Sequence, residues 1–397
     1  MIPPEEAWSR LEPHLTPLDP RPVPRAEAFD LVLAEPLAAT SDIPFADLSA
    51  MDGYAYAGDV EPGTRLPVSG RIAAGNPPDR SLTPGRAVKI MTGAAIPSGA
   101  DRVVPVEDTD GGDRQVTIET PADSGANIRR AGEVHHAGEK ILPAGSVLHP
   151  GTLALAASHG HRRVSVHRPP DLAYLVTGDE VVPPEEAPAP GQIRDSHGDF
   201  LRAAAARLGL EARSLGIAPD RRGALVQLVG RGLHHDVLIV TGGVSMGELD
   251  FVEEVLVEHG CELLFEKVAV KPGKPLVAAV HDGGLVFGLP GNPASVMVTF
   301  RLFVQPSLRR LMGHEDGFWK RAVGARLAAP LPGAKSRDVF LPAAIDLREG
   351  ELLATPLISR GSHDLRGHAL GSALVRIPAG SGAREPGDAC EVLLPSW

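Results

Sequence analysis

The 397-residue chain predicts a multidomain α/β fold on three observations. Residues 166–315 alternate short β-branched runs with amphipathic stretches of helical length, the pattern of a parallel sheet covered by helices. The flanking segments, 41–145 and 319–397, hold only short apolar runs between Gly and Pro turns, as β-rich domains do. Glycine (44) and proline (38) together make about a fifth of the chain and aromatics only 4%, which suits many turns and short strands. The length also exceeds one ordinary domain.

The elements follow in order. Residues 5–15 and 25–33 read as short helices between prolines. Short strands are expected at 87–91, 102–106 and 115–118. Residues 149–160 read as a helix, with proline near its start and glycine at its end. In the α/β region, strands are expected at 172–176, 212–217, 237–240, 263–270 and 285–289. Helices are expected at 200–208, 219–233, 251–259 and 294–312. Ser196 with Asp199 resembles a capping box for the first of these helices, and Pro219 falls in the first turn of the second. Strands at 321–327, 338–347, 373–377 and 390–394 close the chain. This gives a helical segment from 1–40 and 146–165, an inserted β-rich domain at 41–145, an α/β domain at 166–318 and a small C-terminal β-barrel at 319–397. The loop 183–190 is proline-rich and of low complexity.

Composition excludes several classes. Lys and Arg number 39 against 50 Asp and Glu, a net charge of −11, so no basic face for nucleic acid is expected. No apolar run reaches membrane-spanning length, and the N-terminus has no secretory h-region. The two cysteines, Cys261 and Cys390, are far apart, so neither a disulfide framework nor a cysteine zinc site is expected. A soluble, reducing compartment, the cytoplasm, fits. The fifteen histidines show no H-E-x-x-H spacing, and there is no Walker-A lysine motif.

The chemistry concentrates after strand 237–240. Thr241-Gly242-Gly243 is a turn at a strand's carboxyl end, where ligands of open α/β sheets bind and glycine N–H groups can cradle an anion. Ser245, Glu248 and Asp250 follow. Thr177-Gly178-Asp179-Glu180 ends another strand, so Glu180 and Asp250 are expected on one sheet edge. Lys267 and Lys271, four apart on an expected strand, point to one face, with Lys274 just past a Pro-Gly turn. Paired carboxylates facing three ammonium groups suit Mg²⁺ and a phosphate or oxyanion. Asp220, in I-A-P-D, also reads as a cap partner of the helix that starts there.

Seven motifs in order resemble the MoeA family of molybdopterin molybdenumtransferases, which shares its fold with the gephyrin E domain. They are S-A-M-D-G-Y-A at 49–55, M-T-G-A-A-I-P-S-G-A-D at 91–101, T-G-D-E-V at 177–181, G-Q-I-R-D-S at 191–196, T-G-G-V-S-M-G-E-L-D at 241–250, and K-P-G-K-P with L-P-G-N-P at 271–275 and 289–293. The similarity runs from about residue 41 to residue 394. It implies insertion of molybdate into adenylylated molybdopterin with release of AMP, with Mg²⁺, in a homodimer that makes transient contact with other proteins of molybdenum cofactor biosynthesis. By this resemblance the catalytic candidates are Asp52, Glu180, Asp220, Asp250, Lys267 and Lys271, with Glu180 and Asp250 as metal ligands. Thr92, Thr177, Gly178, Gly242, Gly243, Ser245, Lys274, Pro290 and Pro293 are candidates for substrate contact. Asp52 is expected to reach its site from the neighbouring subunit.

Two departures stand out. N-I-R-R-A-G-E-V at 127–134 resembles the family's N-I-R-x-x-G-E-D, with Val134 in place of an aspartate, and Glu133, His135 and His136 are the nearby groups able to compensate. His197 stands where the family usually has asparagine. Two other readings remain: a molybdopterin adenylyltransferase, which the extra β-rich domains disfavour, and a gephyrin-like dimeric scaffold, which the retained Asp52, Asp250 and lysines disfavour.

Overall fold

The structure is a computed structural model and describes every residue except 77–80, 244–250, 358 and 395–397. The chain forms two compact units. One contains Met1–Pro22, Asp30–Ala34 and Ser165–Trp397, and the other contains Val23–Phe29 and Glu35–Val164. The expected helical segment from 1–40 and 146–165 is thus divided between them.

A six-stranded sheet organises the first unit. Its order is Ala212–Ala218, Leu172–Thr177, Val237–Thr241, Gly284–Leu289, Pro275–His281, Glu262–Lys267. The first four strands are parallel, Pro275–His281 runs antiparallel to Gly284–Leu289, and Glu262–Lys267 runs antiparallel to Pro275–His281. Every residue of Leu172–Thr177 and Val237–Thr241 is buried, which is why these runs are β-branched or aliphatic almost throughout rather than alternating. Helices His197–Arg207, Arg222–Gly232 and Val252–Glu258 cover the sheet, and Val229, Val255 and Leu256 pack into one core with Leu175, Leu238 and Val240. A longer helix begins at Pro293 and continues through a π-helical turn, Phe300–Val304, to Leu311.

Several expectations change. The strand expected at 263–270 is two strands. Glu262–Lys267 lies on the edge of the α/β sheet, whereas Val270–Lys271 pairs with Asp338 and Val339 of the C-terminal domain. Lys267 and Lys271 therefore lie in different sheets and do not share a face. Strand Pro275–His281, not expected from sequence, forms a hairpin with Gly284–Leu289 through Asp282 (φ 46°) and Gly283 (φ 84°). This Asp-Gly pair is the standard signal for such a turn, and it makes the sheet mixed rather than parallel. The second helix starts at Arg222, so Pro219 lies in the preceding loop. The first helix is capped by Asp195, whose Oδ1 accepts from His197 N (2.8 Å) and Gly198 N (3.0 Å). Ser196 makes no side-chain cap and Asp199 pairs with Arg202. Residues 25–33 hold only a 3₁₀ turn, Arg25–Glu27. Asp30 has φ 59° with its carboxylate on Arg309, and buried Leu33 bridges to Val166 in an extended segment. Tertiary pairing overrides local helical spacing there.

The C-terminal strands form a closed barrel. Asp338–Arg348, Glu351–Pro356, Ala322–Leu327, Ala389–Leu393 and Ala373–Ile377 pair in that order, and the last pairs back with the first. Strand Glu351–Pro356 was not expected from sequence. Arg376 ties the barrel to the end of the α/β domain. Its Nε donates to Asp338 (2.7 Å), and its guanidinium lies over Phe318 at 5.3 Å. The second unit is built on a five-stranded sheet, Arg102–Pro105, Gly53–Tyr56, Ala87–Ile90, Thr64–Ile72 and Gln115–Ile118. The fully buried Tyr54 donates its hydroxyl proton to Gly112 O (3.1 Å), and the Tyr56 hydroxyl accepts from Ala122 N (3.0 Å).

At the amino edge of the α/β sheet, Arg168 and Asp236 precede neighbouring strands and form a two-pronged ion pair (2.5 and 2.8 Å). Asp236 also accepts from Asp171 N at 2.7 Å. Arg168 holds the Asp236 carboxyl below its usual range. Its contribution to stability is therefore present above the unfolded carboxyl pKa of about 4 and is lost as pH falls through the lower folded value. Asp236→Ala is expected to destabilise the chain by about 1.5–3 kcal/mol at pH 7. In urea titrations the gap to the wild type should close below about pH 4.

Candidate functional site

Strand Leu172–Thr177 leads to its neighbour on one side, Ala212–Ala218, and the next crossover leads to its neighbour on the other, Val237–Thr241. The loops after Thr177 and Thr241 therefore diverge and leave a crevice at the carboxyl edge of the sheet, the switch point where such folds bind ligands. The cavity there measures about 580 Å³. It gathers seven of the residues singled out from sequence: Thr177, Gly178, Glu180, Asp220, Gly242, Gly243 and Pro293.

Close approach explains the glycine at 242. Its φ is 88°, and a Cβ there would lie 2.6 Å from Thr177 Oγ1 and 2.9 Å from Thr177 O. Thr177 Oγ1 in turn donates to Thr241 O at 3.2 Å. The expected anion cradle is corrected in part. Gly178 N donates to Ala218 O (3.1 Å) and Gly242 N to Leu289 O (3.0 Å), so these two N–H groups serve the scaffold. Gly178 and Gly242 create room rather than supply donors.

The carboxylates have separate tasks. Asp179 and Asp220 lock two loops reciprocally: Asp179 N donates to Asp220 Oδ2 (3.2 Å) and Asp220 N to Asp179 Oδ1 (3.1 Å). Asp220 is not a helix cap, because Arg221 holds that position. Glu180 is exposed, and its backbone carbonyl is pinned by Ile193 N (2.8 Å). Its carboxylate has no partner among the described residues. Behind the glycine turn, His197 Nδ1 lies 3.1 Å from Thr241 Oγ1, and burial lowers the imidazole pKa against the opposing charge of Asp195.

A second cavity of about 520 Å³ adjoins the first and shares Asn292 with it. It lies between the α/β domain and the barrel and presents Lys271, Lys274, Arg337, Ser295 and Ser362. Ser362 O accepts from Ala294 N (3.0 Å), which seats the barrel loop on the start of the long helix and brings His363 to the first cavity. Lys267 lines neither cavity, and its carbonyl accepts from Ile2 N (3.0 Å). Pro290 is buried and lines neither, whereas Pro293 forms part of the first wall. Asp250 and Ser245 lie outside the described residues. Asn292, Arg337, Ser362 and His363 were not singled out from sequence. No periodicity marks R-G-S-H, although L-P-G-N-P had already singled out the turn containing Asn292.

Asp52 and Thr92 belong to the β-rich unit and meet there. Thr92 N and Oγ1 both donate to Asp52 Oδ1 (2.7 and 2.8 Å), and these bonds hold the exposed carboxylate below its usual pKa range. Val134 is 57% exposed, so it is not a packing residue. The groups expected to compensate for it are committed elsewhere: Glu133 accepts from Arg130 N (2.7 Å), His135 pairs with His159 (3.2 Å), and His136 faces Asp42. Among the described residues no group of three or more His, Cys, Asp or Glu is arranged to hold a metal alone. Mg²⁺ commonly takes one or two protein carboxylates and completes its shell with water and substrate phosphates, and the free Glu180 carboxylate fits that use.

A switch-point crevice floored by glycines and flanked by a lysine- and arginine-bearing cavity defines an α/β protein that handles a large anionic small molecule. Residues 2–160 match the model of the MoeA N-terminal region (domain I and II). Residues 173–310 match that of the probable molybdopterin binding domain, and 324–394 that of the MoeA C-terminal region (domain IV). The chain is 32% identical over 400 residues to a molybdopterin molybdenumtransferase of Staphylococcus aureus, covering 99% of this chain and 95% of the relative. It is 31% identical over 375 residues to that of Staphylococcus epidermidis, covering 93% and 89%. It is also similar to the crystal structure of a molybdopterin biosynthesis MoeA protein from Pyrococcus horikoshii, with 31% identity, a TM-score of 0.84 and full coverage of both chains. The chain belongs to the MoeA family of molybdopterin molybdenumtransferases, transferases of molybdenum cofactor biosynthesis.

The glycine argument is open to direct measurement. Gly260 has φ 79° with open space around its Cβ position, so Gly260→Ala pays only the backbone cost, about 1–2 kcal/mol. Gly242→Ala adds a clash with Thr177 and is expected to cost more in chemical denaturation. Equal losses in the two variants would count against close packing at the crevice floor.

Proposed function

We propose that this chain inserts molybdate into adenylylated molybdopterin and releases molybdenum cofactor and AMP. The observation that carries the reading is the pair of adjoining cavities joined at Asn292. One is a glycine-floored crevice with a free carboxylate, and the other a pocket with Lys271, Lys274 and Arg337. A nucleotide-linked ligand and an oxyanion must meet although both are negative. In this reading the adenylylated ligand occupies the first cavity, against Gly242 and Gly243. Molybdate occupies the second, where the two ammonium groups and the guanidinium offset its charge. Lys267, away from both cavities, has a supporting place at most. Glu180, with Asp250, would hold Mg²⁺ against the ligand phosphate, and the ion would supply charge neutralisation at the departing AMP. Asp195 and the reciprocal Asp179–Asp220 bonds keep the crevice walls in place, so little reorganisation is left for binding.

We further propose a homodimer in the reducing cytoplasm. No described helix is long and apolar enough to cross a membrane, and both cysteines are buried free thiols. Asp52, held ionised by Thr92, would complete the site of the partner chain.

AMP release from adenylyl-molybdopterin is expected only when molybdate or tungstate and Mg²⁺ are both present. Lys271→Ala should raise the molybdate concentration needed by tenfold or more, the worth of a charge-assisted hydrogen bond of about 1.5–3 kcal/mol. AMP release that ignores omission of the oxyanion would defeat the assignment. The dimer has its own test. Asp52→Ala and Lys271→Ala homodimers should both be impaired, and mixed heterodimers should regain up to about half of wild-type turnover, because one of two composite sites is then intact. Failure to regain activity after verified subunit exchange would put Asp52 outside the partner's site.

A further inference from the structure

His197 is held unlike any other side chain in the crevice. Its backbone N–H donates to Asp195, and its ring nitrogen Nδ1 lies 3.1 Å from the hydroxyl of Thr241. Thr241 is fully buried, with no exposed surface, and His197 Nδ1 is the only partner of its hydroxyl among the described residues. A buried hydroxyl left without an acceptor is costly. Thr241 Oγ1–H therefore donates to Nδ1, and this bond assigns the ring proton to the other nitrogen, Nε2. The ring lines the cavity, and Nε2 has no partner among the described residues. It is a preset N–H donor at the crevice wall.

Among the described residues the charged groups that share the cavity with this ring can be named. Asp195 lies on its own loop, and Glu180, Asp220 and Arg194 line the same cavity, with His363 contributed by the barrel. Thr241 and Tyr174 lie behind the ring and its helix start. Burial lowers the His197 pKa and Asp195 opposes it, so the imidazole is neutral at pH 7. No lysine lines this cavity among the described residues, and the Gly178 and Gly242 N–H groups are used by the scaffold. His197 Nε2 thus adds an N–H donor to those that Arg194, Ser196 and Asn292 bring to the same cavity.

We propose that His197 is a ligand-binding residue of this chain, a neutral imidazole whose Nε2–H, oriented by Thr241, donates a hydrogen bond to a phosphate oxygen in the crevice. The inference rests on reading the crevice as the seat of an adenylylated ligand and deepens that reading. An asparagine at this position offers the same pairing, an acceptor toward the protein and a donor toward the ligand. The departure at 197 therefore conserves hydrogen-bond logic while changing shape.

The test uses the full-length dimer or monomer as purified and AMP as the probe, titrated calorimetrically at pH 7. His197→Phe is expected to weaken AMP binding at least tenfold, and His197→Asn to stay within about threefold of the wild type, since a neutral donor is restored. Nitrogen NMR of ¹⁵N-histidine protein should show His197 protonated at Nε2 only. In Thr241→Val an Nδ1-protonated population should appear. Undiminished AMP binding by a folded His197→Phe would overturn the inference alone, as would an imidazolium or an Nδ1-protonated ring in the wild type. An unchanged tautomer in Thr241→Val would overturn the orienting role of Thr241. Absence of AMP binding by the wild type would overturn the reading of the crevice and this inference with it.

Discussion

The site depends on one steric constraint, the missing side chain at Gly242. The chain leaves the buried strand Val237–Thr241 in a left-handed turn and passes so close to Thr177 that a methyl group would lie 2.6 Å from its hydroxyl oxygen. That contact lets the ends of three adjacent strands stay bonded, Thr177 to Thr241 and Gly242 to Leu289, while the loops beyond Thr177 and Thr241 separate. The crevice is the consequence of this separation. The Thr177 loop, the Asp179–Asp220 lock and the His197–Thr241 bond all start from strand ends that Gly242 allows to approach. The Gly178 and Gly242 N–H groups are spent on holding this geometry.

Charge is arranged against the average of the chain. The net charge is −11, yet Lys271, Lys274 and Arg337 face a single cavity. Two unit charges about 4 Å apart interact by roughly 4 kcal/mol near a protein surface and by about 1 kcal/mol in bulk water. A cationic pocket between two domains therefore gains from its walls as much as from its lysines. Two polypeptide regions build those walls. Lys271 and Lys274 flank the Pro-Gly turn that carries the chain from the barrel strand Val270–Lys271 back to the α/β hairpin, and Arg337 precedes the barrel strand Asp338–Arg348. The barrel is thereby part of the site, and the Ser362–Ala294 bond fixes its distance from the crevice.

Much of this was legible in the sequence, for identifiable reasons. Fully buried strands such as Leu172–Thr177 and Val237–Thr241 are nearly continuous aliphatic runs, and no solvent-facing residue interrupts the signal. Glycine turns at their ends marked the crevice. What was misread depended on partners distant in sequence. The run 263–270 looks like one strand because its apolar content is continuous, but Val270 finds its partner in the barrel at Asp338. Residues 25–33 have helical spacing, but Asp30 is drawn to Arg309, 279 residues away. Strand Pro275–His281 directly follows the K-P-G-K-P turn and begins with a proline, so its own strand signal is weak although Asp282-Gly283 marks its hairpin. Asn292, Arg337 and His363 could not be assigned to one site before the barrel was placed, since no local pattern links L-P-G-N-P to residues beyond 330.

The two departures from the family pattern differ in physical kind. Val134 replaces an acid with an exposed apolar group, and its neighbours do not make up the lost charge, because Glu133 and His135 already have partners. His197 stands where the resemblance expects an amide, and the surrounding structure supplies a buried hydroxyl on Nδ1, a carboxylate on its backbone N–H and a place in the wall of the cavity. A substitution that keeps the number and direction of hydrogen bonds leaves a binding wall working with a new shape. One that removes a charge changes what the wall can hold. The loop at 127–134 is held by backbone bonds from Gly132 N to Pro44 O and from Val134 N to Ile43 O, so the exposed Val134 side chain is presented on a fixed path without a charge.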